Sequence, residues 1–376
     1  MVRVTVRHMP DPWELATLVR RFEESADFSE TRAPLNSALA RIIASDRSLA
    51  SLLAHAPAEQ QLPVLLLAAI HYELLADRTH DLAAWYPNLT EAPRPPDDHD
   101  LARTLSSFVG ERRASILDTL ATRHVQTNEV GRCALLVAGL GDLTNELAGR
   151  PLAHLDVGTS AGLNLLLDRV EVGYENDEGS VQLVGSSRTG DHRRLSLTAE
   201  VRGSLEVPPT LPPIAARRGV DLRPIDLDDE PSRRWLEACV WPDQADRFSR
   251  LLHAIDLARV DPAEVVAGDA VGDLATHVEE LSVAGVPLVT TTWVLNYLTA
   301  DQRAAFVAEL DRLGRERDMV WVFAEAPGMT SGLPHADGTA DDQRTAVTRV
   351  AWWGGERTVD HIAIAHPHGY WLHAED

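Results

Sequence analysis

Apolar residues recur at three- and four-residue spacing from Trp13 to about Arg150, as in Leu39, Ile42, Ile43, Leu49, Leu52 and Leu53, then Leu66, Ile70, Leu74 and Leu75. That spacing lines one face of a 3.6-residue helix and predicts an all-helical N-terminal domain over residues 1–150. Proline-rich stretches at 86–87 and 92–98 break helices within it rather than separating domains. From Pro151 the texture changes. Short apolar runs at 152–157, 220–222, 264–266, 287–291 and 319–323 read as strands, with helical patterns at 233–257 and 301–315 between them. Such alternation predicts an α/β domain over 151–376 with a mostly parallel sheet. Period-2 stretches at 344–353 and 358–365 predict a closing antiparallel pair.

Residues 170–213 break this rhythm. They carry alternating stretches (181–183 and 195–201) and end in Pro208-Pro209-Thr210-Leu211-Pro212-Pro213. The helical stretch before them, residues 162–169, is too short for a parallel crossover, which takes a dozen residues or more. The expectation is therefore a β-hairpin insertion, a flap, followed by a stiff linker.

The first strand runs into Leu155-Asp156-Val157-Gly158-Thr159-Ser160-Ala161-Gly162-Leu163-Asn164. An acid, a Gly/Ser/Gly turn and then a leucine-rich helix let a nucleotide-bearing ligand approach the backbone at the positive end of a helix dipole. The same residues are a Gly-x-Ser-x-Gly nucleophile elbow. Further turns follow in order: Arg218-Gly219-Val220-Asp221-Leu222-Arg223-Pro224, Val265-Val266-Ala267-Gly268-Asp269-Ala270, and Val289-Thr290-Thr291-Thr292-Trp293-Val294-Leu295-Asn296-Tyr297-Leu298. An acid ending the second strand suits a ribose diol. Asp269 suits an adenine amino group, and Trp293, Asn296 and Tyr297 stand where substrate would sit.

Composition narrows the partners. The net charge of −22 over 376 residues argues against a nucleic-acid backbone as partner and favours a small-molecule substrate. All 35 basic residues are arginine, so Schiff-base chemistry on lysine and Gly-Lys-Ser/Thr phosphate loops are excluded. Two cysteines, Cys133 and Cys239, make no disulfide framework and suit a reducing cytoplasm. Met1 to Trp13 carries no secretion core, and the longest apolar run, 62–70, is too short to span a membrane.

The ordered motifs Asp156-x-Gly158-x-Ser160-x-Gly162, Gly219-Val220-Asp221-Leu222-Arg223-Pro224, Gly268-Asp269-Ala270 and Val294-Leu295-x-Tyr297-Leu298 resemble Rossmann-like S-adenosylmethionine-dependent methyltransferases across residues 151–376. The closing antiparallel pair resembles that fold's last two strands. The resemblance implies that Asp156 neighbours the methionine amino group and that Gly158, Thr159, Ser160 and Gly162 form the turn beneath it. Asp221 would then hold the ribose, and Asp269 with Ala270 the adenine. Ser160 departs from the glycine usual at its position, and the insertion after the first motif is longer than usual. Across the whole chain, Arg123-His124-Val125-Gln126-Thr127-Asn128-Glu129-Val130-Gly131-Arg132-Cys133, Ser160-Ala161-Gly162-Leu163-Asn164-Leu165 and Val240-Trp241-Pro242-Asp243-Gln244 resemble the signature runs of a bacterial family of unknown function.

The polar run Gln126, Thr127, Asn128, Glu129 and Arg132 either caps the apolar helix that follows or lines a substrate pocket. His366-x-His368 suggests a metal, but no carboxylate has ligand-like spacing, so the expectation is no metal site. His71-Tyr72 reads as a core pair, and Trp241-Pro242-Asp243-Gln244 as a helix break with an Asp cap. Two rivals to methyl transfer remain. One is a serine hydrolase using Ser160 with Asp269 and His361 or His366; the other is a nucleoside-binding protein without catalysis.

Overall fold

Prolines and acids write the helix starts. A computed structural model describes residues 11–185, 194–330, 333 and 344–374; residues 1–10 and 186–193, on which parts of the leader and insertion expectations fall, lie outside it. Its helices are α1 (Pro12–Ser29), α2 (Pro34–Ser45), α3 (Arg47–Ala50), α4 (Pro63–Ala76), α5 (Leu101–Glu111), α6 (Arg113–Thr122), α7 (Cys133–Leu140), α8 (Thr144–Leu147), α9 (Glu230–Ala238), α10 (Ala245–Val260), α11 (Leu274–Leu281) and α12 (Ala300–Glu316). Proline in the first turn opens α1, α2, α4 and α9, where its fixed φ suits the helix and its missing N–H is one of the unpaired ones. None of these helices is long and apolar enough to cross a membrane.

Contacts divide the chain into two compact units: residues 1–127 with 227–252, and 128–226 with 253–376. Within the first, α4 is buried almost all round from Leu65 to Leu75. His71 on it is a core residue, with Nδ1 against the Ala238 carbonyl at 3.1 Å and Nε2 against Asn88 at 3.0 Å. Burial lowers its pKa to about 4. The helix expected over 233–257 is broken into α9 and α10 around Pro242, which lacks the N–H to continue the ladder. Asp243 does cap a helix, but a distant one: its carboxylate accepts from the Leu35 and Asn36 amides of α2 at 2.7 and 3.0 Å.

The second unit is built on strands β1 (Leu152–Val157), β2 (Val170–Asn176), β3 (Val181–Val184), β4 (Leu195–Arg202), β5 (Ile214–Asp221), β6 (Glu264–Ala267), β7 (Val286–Thr292), β8 (Met319–Glu325), β9 (Thr345–Trp353), β10 (Glu356–Ala365) and β11 (Trp371–His373). They form one mostly parallel sheet in the order β3-β2-β4-β11-β10-β9-β8-β7-β1-β5-β6. β1 lies between β5 and β7, parallel to both, and β9, β10 and β11 run antiparallel to their predecessors. The insertion does hold a hairpin, β2–β3. It is no separate flap, because β4 pairs parallel with β11 and carries the same sheet outward. The prolines after it are no free linker either: Gly185 and Thr210 bridge, and the Pro213 carbonyl accepts from the Leu152 amide.

The alternation of side chains gives β1 two unlike faces. Ala153, Leu155 and Val157 join Val289, Trp321 and Phe323 in an apolar core with α11 and α12 residues Leu274, Val278, Phe306, Leu310 and Leu313. His154 and Asp156 point to the opposite face, where Gly139 of α7 closes on Val322.

Candidate functional site

All the parallel strands from β6 to β8 end at the same edge, and their turns converge on the turn after β1. Gly158 (φ +71°), Ser160 (φ +55°) and Gly162 (φ +76°) are left-handed there. The Gly158 and Thr159 amides both donate to the Val220 carbonyl, at 2.7 and 3.2 Å. A Cβ at Gly158 would lie 2.3 Å from Val294 Cγ2, so this position needs glycine for contact as well as conformation. Asp221, at the end of β5, ties the two turns together. Its Oδ2 accepts from the Ser160 amide and its Oδ1 from the Arg223 amide, both at 2.8 Å.

Beneath the turn lies a buried polar chain. Asp156 accepts from the Thr159 hydroxyl on Oδ2 and from the Thr290 hydroxyl on Oδ1, both at 2.7 Å. Thr290 has one proton and gives it to Asp156, so His154 Nε2, 2.8 Å away, must donate to Thr290. His154 is therefore the neutral Nε2–H tautomer, and burial with the nearby Arg217 charge lowers its pKa to about 3. Its Nδ1 has no hydrogen-bond partner among the described residues. Burial raises Asp156 to about 6 against the two hydroxyl bonds, with the Asp221 charge adding to the rise.

The run before α7 wraps this turn. Asn128 donates from Nδ2 to the Thr159 carbonyl at 3.0 Å. Glu129 accepts from the Gly131 amide at 2.9 Å, a local cap. Arg132 joins two strand ends, donating to the carbonyls of Thr292 (3.1 Å) and Pro367 (2.9 Å). Gln126 belongs to the first unit, where its main chain bonds the Cys239 thiol.

After β7, Trp293 is held at φ +58° with its indole N–H on Thr345 Oγ1 at 2.8 Å. The fully buried Glu325 accepts from the Val294 and Leu295 amides at 3.1 and 3.2 Å, and burial raises its pKa to about 7. Asn296 is exposed and Tyr297 is 84% exposed. Asp269 is exposed and accepts on Oδ1 from the Val271 and Gly272 amides of its own turn, with Ala270 half-buried beside it.

The structure thus gathers Asp156, Gly158, Thr159, Ser160, Gly162, Asp221 and Asn128 into one bonded cluster, with Arg132 and Trp293 at the next strand end. Of the hydrolase histidines, His361 stands apart from that cluster. His361 lies within β10, four strands from β1, roughly 19 Å away at 4.8 Å per strand. His366 directly follows β10, its ring 5.4 Å from that of His368 and stacked on Tyr370. No group of three metal-ligating side chains stands among the described residues.

Sequence reasoning missed Glu325 and His154, and took Thr290 only as one of the polar groups that end the fourth strand. Glu325 carried a usable signal, since an acid ends its apolar strand just as Asp156 and Asp221 lie at the ends of theirs.

A family model described as an uncharacterized protein conserved in bacteria (DUF2332) matches residues 19–373. The chain belongs to that family. No curated protein matches it.

Proposed function

We propose that this chain binds S-adenosylmethionine at the carboxyl end of β1 and transfers its methyl group to a small-molecule acceptor. The observation that carries this reading is the reversal of strand order at β1. Successive strands β5 and β6 lie to one side and β7 and β8 to the other, and in open α/β sheets ligands sit in the crevice outside such a switch point. We take the sheet accordingly as a Rossmann-like methyltransferase domain over 151–376.

The residues present fit the nucleoside. The left-handed Gly158, Ser160 and Gly162 bring bare backbone to the strand end. Asp221 uses one lone pair on each oxygen for the Ser160 and Arg223 amides, which leaves one on each for a ribose diol. Asp269 keeps Oδ2 for the adenine amino group, with Ala270 beneath. Bound S-adenosylmethionine supplies an electrophilic methyl on sulfur, so the protein's part is mainly to hold the acceptor in line. We assign that task to Trp293, Asn296 and Tyr297, with Glu129 and Arg132 behind them. The charge of −22 favours neutral or cationic acceptors. Two free thiols, Cys133 and Cys239, suit the cytoplasm.

Titration calorimetry with S-adenosylmethionine and S-adenosylhomocysteine tests the reading. Asp221→Ala should weaken binding by about 1.5–3 kcal/mol, the scale of lost charge-assisted bonds. No heat and no thermal shift at millimolar ligand would sink it. Binding without transfer to any acceptor would leave a nucleoside-binding protein. The left-handed Ser160 also meets the backbone demand of a nucleophile elbow, which keeps a serine hydrolase as the second reading. Ser160→Ala should hold ligand affinity within about tenfold if one neutral hydrogen bond is lost, and Ser160→Leu should block the site. Stoichiometric fluorophosphonate labelling of Ser160 would favour the hydrolase.

A further inference from the structure

We infer that Asn128, which lies outside the strand-end motifs, binds the ammonium group at the amino-acid end of the nucleoside ligand. This rests on the S-adenosylmethionine reading above. The motif's own acid is ill placed for that task. Asp156 is 1% exposed, its carboxylate turned inward to the Thr159 and Thr290 hydroxyls. It supports the turn from below instead of facing a ligand. Asn128 offers what Asp156 lacks. Its side-chain nitrogen donates to the Thr159 carbonyl, and only the nitrogen can do so, which fixes the amide's orientation without a flip ambiguity. The remaining oxygen, Oδ1, is buried and has no hydrogen-bond partner among the described residues. The residue as a whole is 9% exposed.

A buried amide oxygen without a donor is destabilising, and native chains pair nearly all such groups. An oxygen left waiting beside the Gly158–Gly162 turn is complementary to a compact cationic donor. The ammonium of an α-amino acid is such a group, and its positive charge strengthens the bond to a neutral carbonyl. The nearby carboxylates of Asp156 and Asp221 add favourable potential for a cation.

The test compares two probes by calorimetry, S-adenosylhomocysteine, which has the amino-acid end, and 5′-methylthioadenosine, which lacks it. Wild type should prefer the first. Asn128→Ala should lose about ten- to a hundredfold in affinity for S-adenosylhomocysteine, the range of one charge-assisted hydrogen bond. Its affinity for 5′-methylthioadenosine should stay unchanged, which also reports that the variant is folded. On wild type, the deaminated analogue of S-adenosylhomocysteine should lose the same factor against S-adenosylhomocysteine itself, which covers the case in which the alanine variant does not fold. Equal loss for both probes, or loss for neither, overturns the role of Asn128 while leaving the nucleoside site standing. Binding of neither probe by wild type overturns the methyltransferase reading and this inference together.

Discussion

Replacing Gly158 by alanine should destabilise the sheet unit through two separable effects. The first is conformational. At φ +71° an L-residue costs about 1–2 kcal/mol over glycine. The second is steric, since the new methyl would lie 2.3 and 2.8 Å from the two Val294 methyls. Val294 has little room to withdraw, because its amide and that of Leu295 are held by the Glu325 carboxylate. Overpacking of this kind costs about 1–3 kcal/mol, so Gly158→Ala should lose about 2–5 kcal/mol in all. Hydrogen exchange of the β1 amides, followed by mass spectrometry, reads that loss locally. Adding Val294→Ala removes the two methyl clashes and leaves the Val294 Cβ at 3.1 Å, so the double variant should recover part of the protection despite carrying a second truncation. A Gly158→Ala protein as protected as wild type, or a double variant no better than the single, refutes the account of this turn.

Glu325→Gln should flatten part of the pH dependence of stability. Burial raises the Glu325 pKa from 4.5 to about 7, so its contribution is full below pH 4.5 and lost as pH rises through 7. Across that window the stability difference between variant and wild type should change by about 3 kcal/mol, from urea titrations at each pH. Thr290→Val keeps shape but strips the hydroxyl between His154 and Asp156. Two buried polar groups lose a partner, and exchange protection of β7 should fall by about 2–5 kcal/mol; a neutral outcome contradicts the assigned tautomer chain. Asp243→Ala frees two α2 amides and should cost about 1–2 kcal/mol, seen as a lower helical melting midpoint, with Asp243→Asn intermediate.

The strands around β1 were readable because their apolar runs end in turn signals, although β5 spans Ile214–Asp221 where the apolar pattern marked only 220–222. β1, β5 and β6 meet glycine or acid at their ends, and β7 meets a polar and aromatic turn. What escaped was non-local. β11 is three residues long and joins the insertion to the main sheet through pairing with β4, a contact without any sequence period. The helix over 233–257 was read through its apolar spacing, yet the backbone break at Pro242 overrode the pattern. In the site, Asp156, Ser160 and Asp221 were chosen by motif and do converge. The role of Asp156 was not legible, because Thr290 lies 134 positions along the chain and only strand pairing brings its hydroxyl to the carboxylate. Glu129 and Arg132 illustrate the same limit. Their residue types fit both a cap and a pocket wall, and the bonds to Gly131, Thr292 and Pro367 are set by the fold.

The two faces of β1 explain why this strand end is suited to chemistry. Toward α11 and α12 the face is apolar, and there ordinary burial stabilises the sheet. Toward α7 it carries His154 and Asp156, beside Thr290 and Thr292 of β7, all buried, and a core holds such polar groups only when they are hydrogen-bonded. Positive φ at residues other than glycine occurs, among the described residues, at Ala148, Ser160 and Trp293. Two of these three stand at the carboxyl ends of the adjacent strands β1 and β7. Each is fastened by a specific bond, Ser160 by Asp221 and Trp293 by Thr345. Strain and buried polarity are unfavourable separately, and both are concentrated at one edge of the sheet. A turn braced from below by Asp156 and from the side by Asp221 keeps its backbone groups aimed before any ligand arrives. Binding there then loses less conformational entropy, which is the physical advantage of a preorganised site.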